Sequence, residues 1–500
     1  MLTPGPYTAT YFEHAYIARY LGYPLVEGSD LTVRDRRLYI KTIEGLHRVD
    51  VLIRRVDDTY CDPLELRSDS FLGVPGLLDA ARAGNVAISN ALGSGAVEGP
   101  AWLAFLPALA RRLLDEELHI PNVATWWCGQ SVERSYALEH LDSLVVKMAF
   151  STGKEDPVFC RGLARGELDG LIARIRARPC DFVAQQRVPL STAPVWNGER
   201  LEPRPLILRC FVAANAEGFV VMAGGLTRLS ATPDSPVVSS RFGGGSKDTW
   251  ALTNEPVEEI TLLDRRGAPA STPPTSGIIS SRTLDNLFWL GRYTERLEDT
   301  VRLFRVVLAR LVSEGTADEA EELTAMSRCL VALDRLPGRF TGHASGRELT
   351  AALSRLVFEK VRPGSVAEMV KRVSILTARL RVRFSGDTWR ILHKLQTEFP
   401  AEAPMGGAAA ILECLHRLVF QLAALSGVET ENMTRGTQWL FLDLGRRIER
   451  ANNVVEVIKA IVVSDPDAHH SLPPLLEYCD STMTYRRRYF SQPEFSSTLD

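Results

Sequence analysis

The sequence predicts an α/β region followed by an all-α region. Three observations predict it. Short apolar runs alternate with amphipathic runs up to about residue 266, a stretch rich in proline and glycine follows, and the remainder repeats its apolar residues every three or four positions. We therefore expect an α/β domain over 1–266, a linker over 267–277 and a helical domain over 278–500. A chain of 500 residues has ample length to bury cores of this kind.

In the first region, strands are expected over 38–42, 49–53, 86–89, 144–148, 182–185, 206–213 and 219–223, where aliphatic residues run together. Helices are expected over 11–21, 77–83, 102–113 and 167–177, where apolar residues keep to one face. The pattern breaks at Arg266-Gly267-Ala268-Pro269-Ala270-Ser271-Thr272-Pro273-Pro274. Beyond it, Leu297, Val301, Phe304, Leu308 and Leu311 mark one side of a long helix. The helical region also echoes itself. Leu290-Gly291-Arg292-Tyr293-Thr294-Glu295-Arg296 returns as Leu444-Gly445-Arg446-Arg447-Ile448-Glu449-Arg450, and 444 − 290 = 154 residues separate the copies. On a helix, Arg292 neighbours Glu295 and Arg296, so each copy reads as a patch of surface ion pairs worth about 0.3–0.5 kcal/mol. The glycines would let two related helical units pack closely.

Composition narrows the function classes. A net charge of −3 argues against a generally basic nucleic-acid binder. The eight cysteines form no CxxC pair, which disfavours a zinc ribbon or a disulfide framework and fits a reducing, cytoplasmic setting. No basic leader opens the chain, and no stretch reads as the ~20 apolar residues that span a bilayer. HExxH and GxSxG are absent, and the nine histidines are scattered apart from His469-His470. Metalloprotease, serine-hydrolase and zinc chemistry lose support.

What remains is a set of acids, cations and glycine turns. Between Arg54 and Arg67 lie four acids and three arginines, directly after the 49–53 strand. Carboxylates at a strand end can hold a hard divalent cation, and adjacent arginines can grip a phosphate. A solvated, salt-bridged loop accounts for the same residues. Asn90-Ala91-Leu92-Gly93-Ser94-Gly95 ends a strand in a turn open to an anion, although it misses the GxGxxG spacing. Lys147 interrupts an apolar strand and calls for an anionic partner, unless it snorkels to solvent. Arg209 repeats the theme. Gly224-Gly225-Leu226-Thr227-Arg228 and Gly243-Gly244-Gly245-Ser246-Lys247-Asp248-Thr249-Trp250 read as two glycine-rich, cation-bearing loops, the second like a phosphate cradle but not a P-loop. A basic stretch, Lys371, Arg372, Arg379, Arg381, Arg383, Arg390 and Lys394, reads as a solvated helix face or as a contact for nucleic acid or a phosphorylated partner.

Several of these stretches together carry a resemblance. Leu2-Thr3-Pro4-Gly5-Pro6-Tyr7, Tyr11-Phe12-Glu13-His14, Leu25-Val26-Glu27-Gly28-Ser29-Asp30-Leu31, the Arg54 cluster, Leu72-Gly73-Val74-Pro75-Gly76, Asn90 to Gly95 and Gly243 to Trp250 resemble the circularly permuted ATP-grasp family, type 2, over essentially all of 1–252. Leu284-Asp285-Asn286-Leu287-Phe288-Trp289 and the first Leu-Gly-Arg motif resemble the bacterial alpha-E domain. The resemblance implies ATP- and Mg²⁺-dependent joining of a carboxylate to an amine through an acyl phosphate, as in the similar glutathionylspermidine synthetase-type ligases. Substrates would be small molecules or peptides, the helical half would offer a surface for protein partners, and neither nucleic acid nor membrane is implied. By position, Arg55, Lys147 and Arg209 resemble the catalytic phosphate contacts. Asp57, Asp58 and Asp62 resemble the metal ligands. Lys147, Gln185, Gln186, Asn90 and Lys247 resemble the nucleotide contacts. The segment after Lys147, with Gly153 as its one glycine, departs from the family's glycine-rich loop, and the chain reads as beginning inside the ATP-grasp and stopping inside the helical repeat. These departures motivate an alternative: a non-catalytic scaffold with a degenerate ATP-grasp and a partner-binding helical domain.

Overall fold

Aliphatic runs at the predicted positions do become strands, but their neighbours across the sheet are mostly antiparallel. The computed structural model describes residues 1–150, 156–216, 218–235, 237–238, 243–254, 256, 278–313, 315–342, 345–464 and 469–499. The expected linker 267–277 lies outside them. Packing groups the chain into two compact units, one formed by Met1–Ala91 with Ala270–Asp500 and the other by Leu92–Pro269. The first unit thus takes in the head of the chain as well as the helical half.

In the first unit, Leu31–Arg34, Arg37–Thr42 and Gly45–Arg48 form an antiparallel meander. Asp35 and Arg36 turn its first hairpin with φ of 48° and 60°, the left-handed pair that a tight two-residue turn requires. Val51–Ile53 pairs in parallel with Ala87–Ser89. On its other side runs the chain's own start: Leu2 N–H donates to the Ile53 carbonyl (2.8 Å) and Arg55 N–H donates to the Leu2 carbonyl (2.9 Å). Leu2 is fully buried there. The helix Tyr11–Leu21 matches its predicted span and ends on Gly22 at φ 71°.

From Ser281 onward the described chain is helical, with Ser280, Thr316, Ser345, Ser365 and Ser385 each accepting the third backbone N–H of the helix that follows. The longest helix, Ser281–Val312, buries Leu297, Val301, Phe304 and Leu308, the stripe expected from spacing. Arg282 anchors this helix to the start of the chain, reaching Asp30 at 2.6 and 2.8 Å and Glu27 at 2.9 Å. One expectation is corrected here. Gly407–Asn432 is long and apolar enough to cross a bilayer by length and composition alone. Its apolar side, including Ile411, Leu415, Leu418, Leu422 and Leu425, packs into the helical core, which explains that composition.

The two Leu-Gly-Arg motifs meet. Ser281–Val312 crosses Thr437–Ser464 where Gly291 faces the Leu442 carbonyl and Gly445 faces the Phe288 carbonyl. A Cβ at either glycine would lie 2.1 Å from that carbonyl oxygen, so only glycine permits this approach. The charged residues then reach across the helices in place of the expected pairing along each helix. Glu449 accepts from Arg292 and from Arg296 (3.1 Å), and Glu295 accepts from Arg450 (3.1 Å) and Arg446 (3.3 Å). Glu295 and Glu449 are buried, so these are not the solvated surface pairs the sequence suggests. Burial opposes the charge on Glu449, yet the hydrogen bonds from Arg296 and Arg292 prevail and hold its carboxyl below the usual range.

Beside this clasp, burial pushes the Glu429 carboxyl up to about 7 against the opposing effect of Arg446. Asp299 shifts the same way, to about 6, chiefly by burial. A carboxyl whose folded pKa exceeds its unfolded value binds its proton more tightly when folded. Stability therefore falls as pH rises from about 4.3, the unfolded value, through about 7. We expect Glu429→Gln to raise Tm at pH 8 and leave it near wild type at pH 5. A Tm-against-pH profile parallel to wild type would contradict this.

The second unit holds two four-stranded sheets and a hairpin. The first has the order Thr125–Trp127, Phe182–Gln186, Leu144–Met148, Val158–Phe159. Leu171 and Ile175 of helix Arg165–Ala177 and Ala137 of helix Ser131–Glu139 join Leu144, Val146, Phe182 and Ala184 in its core. The second sheet has the order Thr192–Trp196, Leu201–Arg209, Gly224–Leu229, Ser246–Trp250. The predicted strand over 206–213 is split, ending at Arg209 and resuming as Val212–Asn215, which pairs with Gly218–Val221. The supposed glycine-rich loops differ most: Gly224–Leu229 is a strand, and Ser246–Trp250 pairs along it. Gly224 at φ 135° and Gly225 serve the sheet, where a Cβ on either would lie 2.5 Å from a neighbouring carbonyl oxygen.

Candidate functional site

The β-strand pattern of Leu144–Met148 buries Leu144, Val145 and Val146 and brings Lys147 to the edge of a cleft. The antiparallel partner Phe182–Gln186 sets Val145 opposite Gln185 and Lys147 opposite Val183. Within this register Lys147 Nζ donates to Gln185 Oε1 at 2.6 Å, and Gln185 Nε2 donates to Thr125 Oγ1 at 3.1 Å. The chain of bonds fixes the lysine's direction. Among the described residues no carboxylate lies within ion-pair distance of Lys147. Burial pushes its ammonium below the usual lysine range. A part-buried cation answered only by a neutral amide is suited to receive an anion.

The cleft has a volume of about 580 Å³, within the range of small-molecule sites. Val123, Val145, Phe159, Pro189, Pro205 and Ile207 give it apolar walls, while Lys147, Gln185 and Gln186 place polar groups in it. These residues fit a nucleotide: apolar faces for a base, amides beside it and the Lys147 cation for a phosphate, with Arg187, Asp156 and Asp234 also on the lining. Gln185 and Gln186, expected among the nucleotide contacts, line the same cleft as Lys147.

The other predicted residues have different surroundings. Arg209 is exposed at the end of Leu201–Arg209, opposite Leu226. Lys247 sits on a strand, not in a cradle, and its Nζ donates to the Pro194 carbonyl. Both belong to the same compact unit as Lys147. The segment 151–155, singled out for its single glycine, lies outside the described residues.

Arg55, Asp57, Asp58, Asp62 and Asn90 belong to the unit containing Met1–Ala91. Here the Arg54 cluster is a folded loop held by its own charges. Arg54 pairs with Asp58 and also donates to the Asn90 carbonyl at 3.0 Å and the Val56 carbonyl at 2.7 Å. Asp57 caps the short 3₁₀ turn Asp58–Tyr60, accepting from Thr59 N–H (3.2 Å) and Thr59 Oγ1 (3.0 Å). Arg55 is exposed, and its charge helps push the His14 imidazole below its ordinary range after burial, the larger cause. Asp62 is fully buried. Its Oδ1 accepts from Leu64 N–H (2.9 Å) and Gly76 N–H (3.2 Å), and its Oδ2 from Leu78 N–H (2.9 Å). That role anchors the loop and occupies both oxygens. We expect Asp62→Ala to cost about 2 kcal/mol in urea unfolding, because three backbone donors lose their acceptor. A midpoint within error of wild type would refute this structural role.

Among the described residues no group of three or more acidic, histidine or cysteine side chains is arranged to hold a metal ion. Asp57, Asp58 and Asp62 thus do not build a protein-only cation site. Sequence reasoning singled out Lys147 through the apolar strand around it and Gln185 through the family resemblance. It missed Thr125, whose hydroxyl orients Gln185, because no motif marks a lone threonine on a short strand.

Residues 1–230 match the model of the family described as circularly permuted ATP-grasp type 2, and residues 279–500 match Alpha-E, described as a predicted alpha-helical domain with a conserved ER motif. An uncharacterized protein of Mycobacterium tuberculosis is 34% identical over 98% of this chain and 57% of its own length. A second from that organism is 42% identical over 50% of this chain and 46% of its own, and one from Synechocystis is 41% identical over 50% and 52%. The chain thus spans about half the length of the curated relatives it matches. The Glu-Arg pairs of the motif, Glu295-Arg296 and Glu449-Arg450, are the residues that clasp the two long helices. The ATP-grasp family implies ATP-dependent, ligase-like activity in general, with ATP use and usually a divalent metal. The chain therefore pairs a region that matches the circularly permuted ATP-grasp type 2 family, residues 1–230, with an Alpha-E domain over residues 279–500.

Proposed function

We propose that this chain is the ATP-binding part of a cytoplasmic carboxylate–amine ligase that works through an acyl phosphate. The observation that carries the reading is Lys147, part-buried, held by Gln185 at 2.6 Å and lacking a carboxylate partner among the described residues in an otherwise largely apolar cleft. In this reading the apolar walls take the adenine, Gln185 and Gln186 line its polar edge, and Lys147 meets a phosphate oxygen. The substrate carboxylate attacks the γ-phosphoryl group and ADP leaves. The amine then attacks the acyl carbon, phosphate leaves, and an amide C–N bond remains.

Catalysis of this kind rests on positioning and charge neutralisation, which is what a lysine fixed by a sheet supplies. Arg55 and Arg209, both exposed, are assigned to phosphate contacts. Lys247 reaches a phosphate only by giving up its bond to Pro194. Asn90 is assigned to the nucleotide and Asp57 and Asp58 to the metal side. Mg²⁺ commonly needs only one or two carboxylates beside the phosphates themselves. The Alpha-E half is assigned to substrate or partner recruitment.

Titration of the full chain with Mg-ATP tests the reading. A concentration-dependent rise in Tm is expected by linkage, followed by amine-dependent ADP release with the correct substrates. No shift at saturating Mg-ATP would favour the scaffold.

A further inference from the structure

The basic stretch of the helical half is not spent as one solvated face. Arg372 pairs with Glu368, and Arg390 with Asp387. Arg381 stacks over the rings of Phe12 (4.7 Å) and Trp389 (4.1 Å). Arg379 and Arg383 do something else. With Arg282 they converge on a polar cavity also lined by Thr3, Tyr11, Asn286 and Glu27.

The charges there do not balance. Arg282 is satisfied by Glu27 and Asp30. Arg379 acts on Glu27 only through its longer-range field. Among the described residues neither Arg379 nor Arg383 makes an ion pair or a guanidinium hydrogen bond. Counting the groups gives three guanidinium charges against the carboxylates of Glu27 and Asp30, a difference of +1. Arg383 is the telling member. Burial pushes its guanidinium below the usual arginine range, with the Tyr11 hydroxyl the one opposing influence. A guanidinium drawn from water without an acceptor is costly, since its five N–H donors require oxygens. The walls add hydroxyl and amide groups of Thr3, Tyr11 and Asn286. At about 40 Å³ the space suits a small oxyanion and is far too small for a nucleotide.

We infer that Arg379 and Arg383, with Arg282 behind them, form a binding site for one small oxyanion, the carboxylate or phosphate group of a ligand. Planar guanidiniums match both kinds of group bidentately. The site lies within the unit that joins the head of the chain to the helical half, so an anion there would brace the two through Tyr11 and Arg282. It is distinct in residues from the Lys147 cleft and does not depend on the ligase reading.

The test is a thermal-shift titration of the full chain with inorganic phosphate and with formate, against chloride at matched ionic strength. Wild type should show a saturable rise in Tm with at least one of them. Response to both marks a general oxyanion site, and response to one names the source. Arg383→Met should weaken the apparent affinity at least about tenfold, as expected when a charged hydrogen-bonding partner is removed. Lys147→Met removes the cation of the nucleotide cleft, so a saturable response that persists in this variant and is lost with Arg383→Met separates the two sites. If Arg383→Met does not fold, the exposed Arg379→Gln reads the same loss. The inference is overturned if wild type responds to neither anion, if the arginine variants respond as wild type does, or if Lys147→Met alone abolishes the response.

Discussion

Replacing Lys147 by methionine is expected to abolish the Mg-ATP-dependent rise in Tm, with nucleotide affinity falling by about 100-fold or more. The size follows from the surroundings. Removing one member of a buried, hydrogen-bonded charge pair costs about 2–5 kcal/mol, and the phosphate would be left in an apolar cleft without its cation. Methionine keeps the aliphatic stem and discards only the charge. Because burial already disfavours the Lys147 ammonium, the free variant should be at least as stable as wild type, so loss of binding cannot be ascribed to unfolding. Gln185→Ala supplies the intermediate case. It removes the acceptor that orients Lys147 at 2.6 Å and should weaken the nucleotide about tenfold. Unchanged affinity in Lys147→Met, measured by calorimetry, would falsify the assignment of this cleft to ATP.

Different parts of the molecule were legible in the sequence to different degrees, and the reason lies in the range of the interactions. Strand Leu144–Met148 and helix Tyr11–Leu21 were readable to the residue, because each is decided by its own apolar pattern and by local breaks. Ser246–Trp250 was not readable, because Lys247 and Asp248 look like loop residues until Gly224–Leu229 offers its edge. The same holds for the candidate site. An isolated lysine in an apolar strand is a local anomaly that the sequence alone can single out. Asp62 is a carboxylate in an acidic cluster, and nothing local reveals that three backbone N–H groups, two of them 14 and 16 residues away, absorb it. Arg383 reads as one more cation on a basic face until Tyr11 and Arg282 close around it.

The helix clasp gives the largest expected effect on stability. Gly291→Ala should destabilise the protein by about 3 kcal/mol and Glu449→Ala by about 4 kcal/mol. In the first case the added methyl would lie 2.1 Å from the Leu442 carbonyl oxygen. Backbone cannot swing aside as a side-chain tip can, so the two longest helices must separate. Separation also draws Arg292 and Arg296 away from Glu449, and Arg446 and Arg450 away from Glu295. In the second case two arginines lose their acceptor inside the crossing. The pairing is reciprocal, which yields a sharper result than either single loss. Glu295→Ala and Glu449→Ala break different halves of one crossing, so the double variant should cost less than the sum of the singles. Strict additivity in urea unfolding of the four proteins of that cycle would mean the halves act independently. It would return the Glu-Arg repeats to the status of separate ion pairs, which is how the sequence alone presents them.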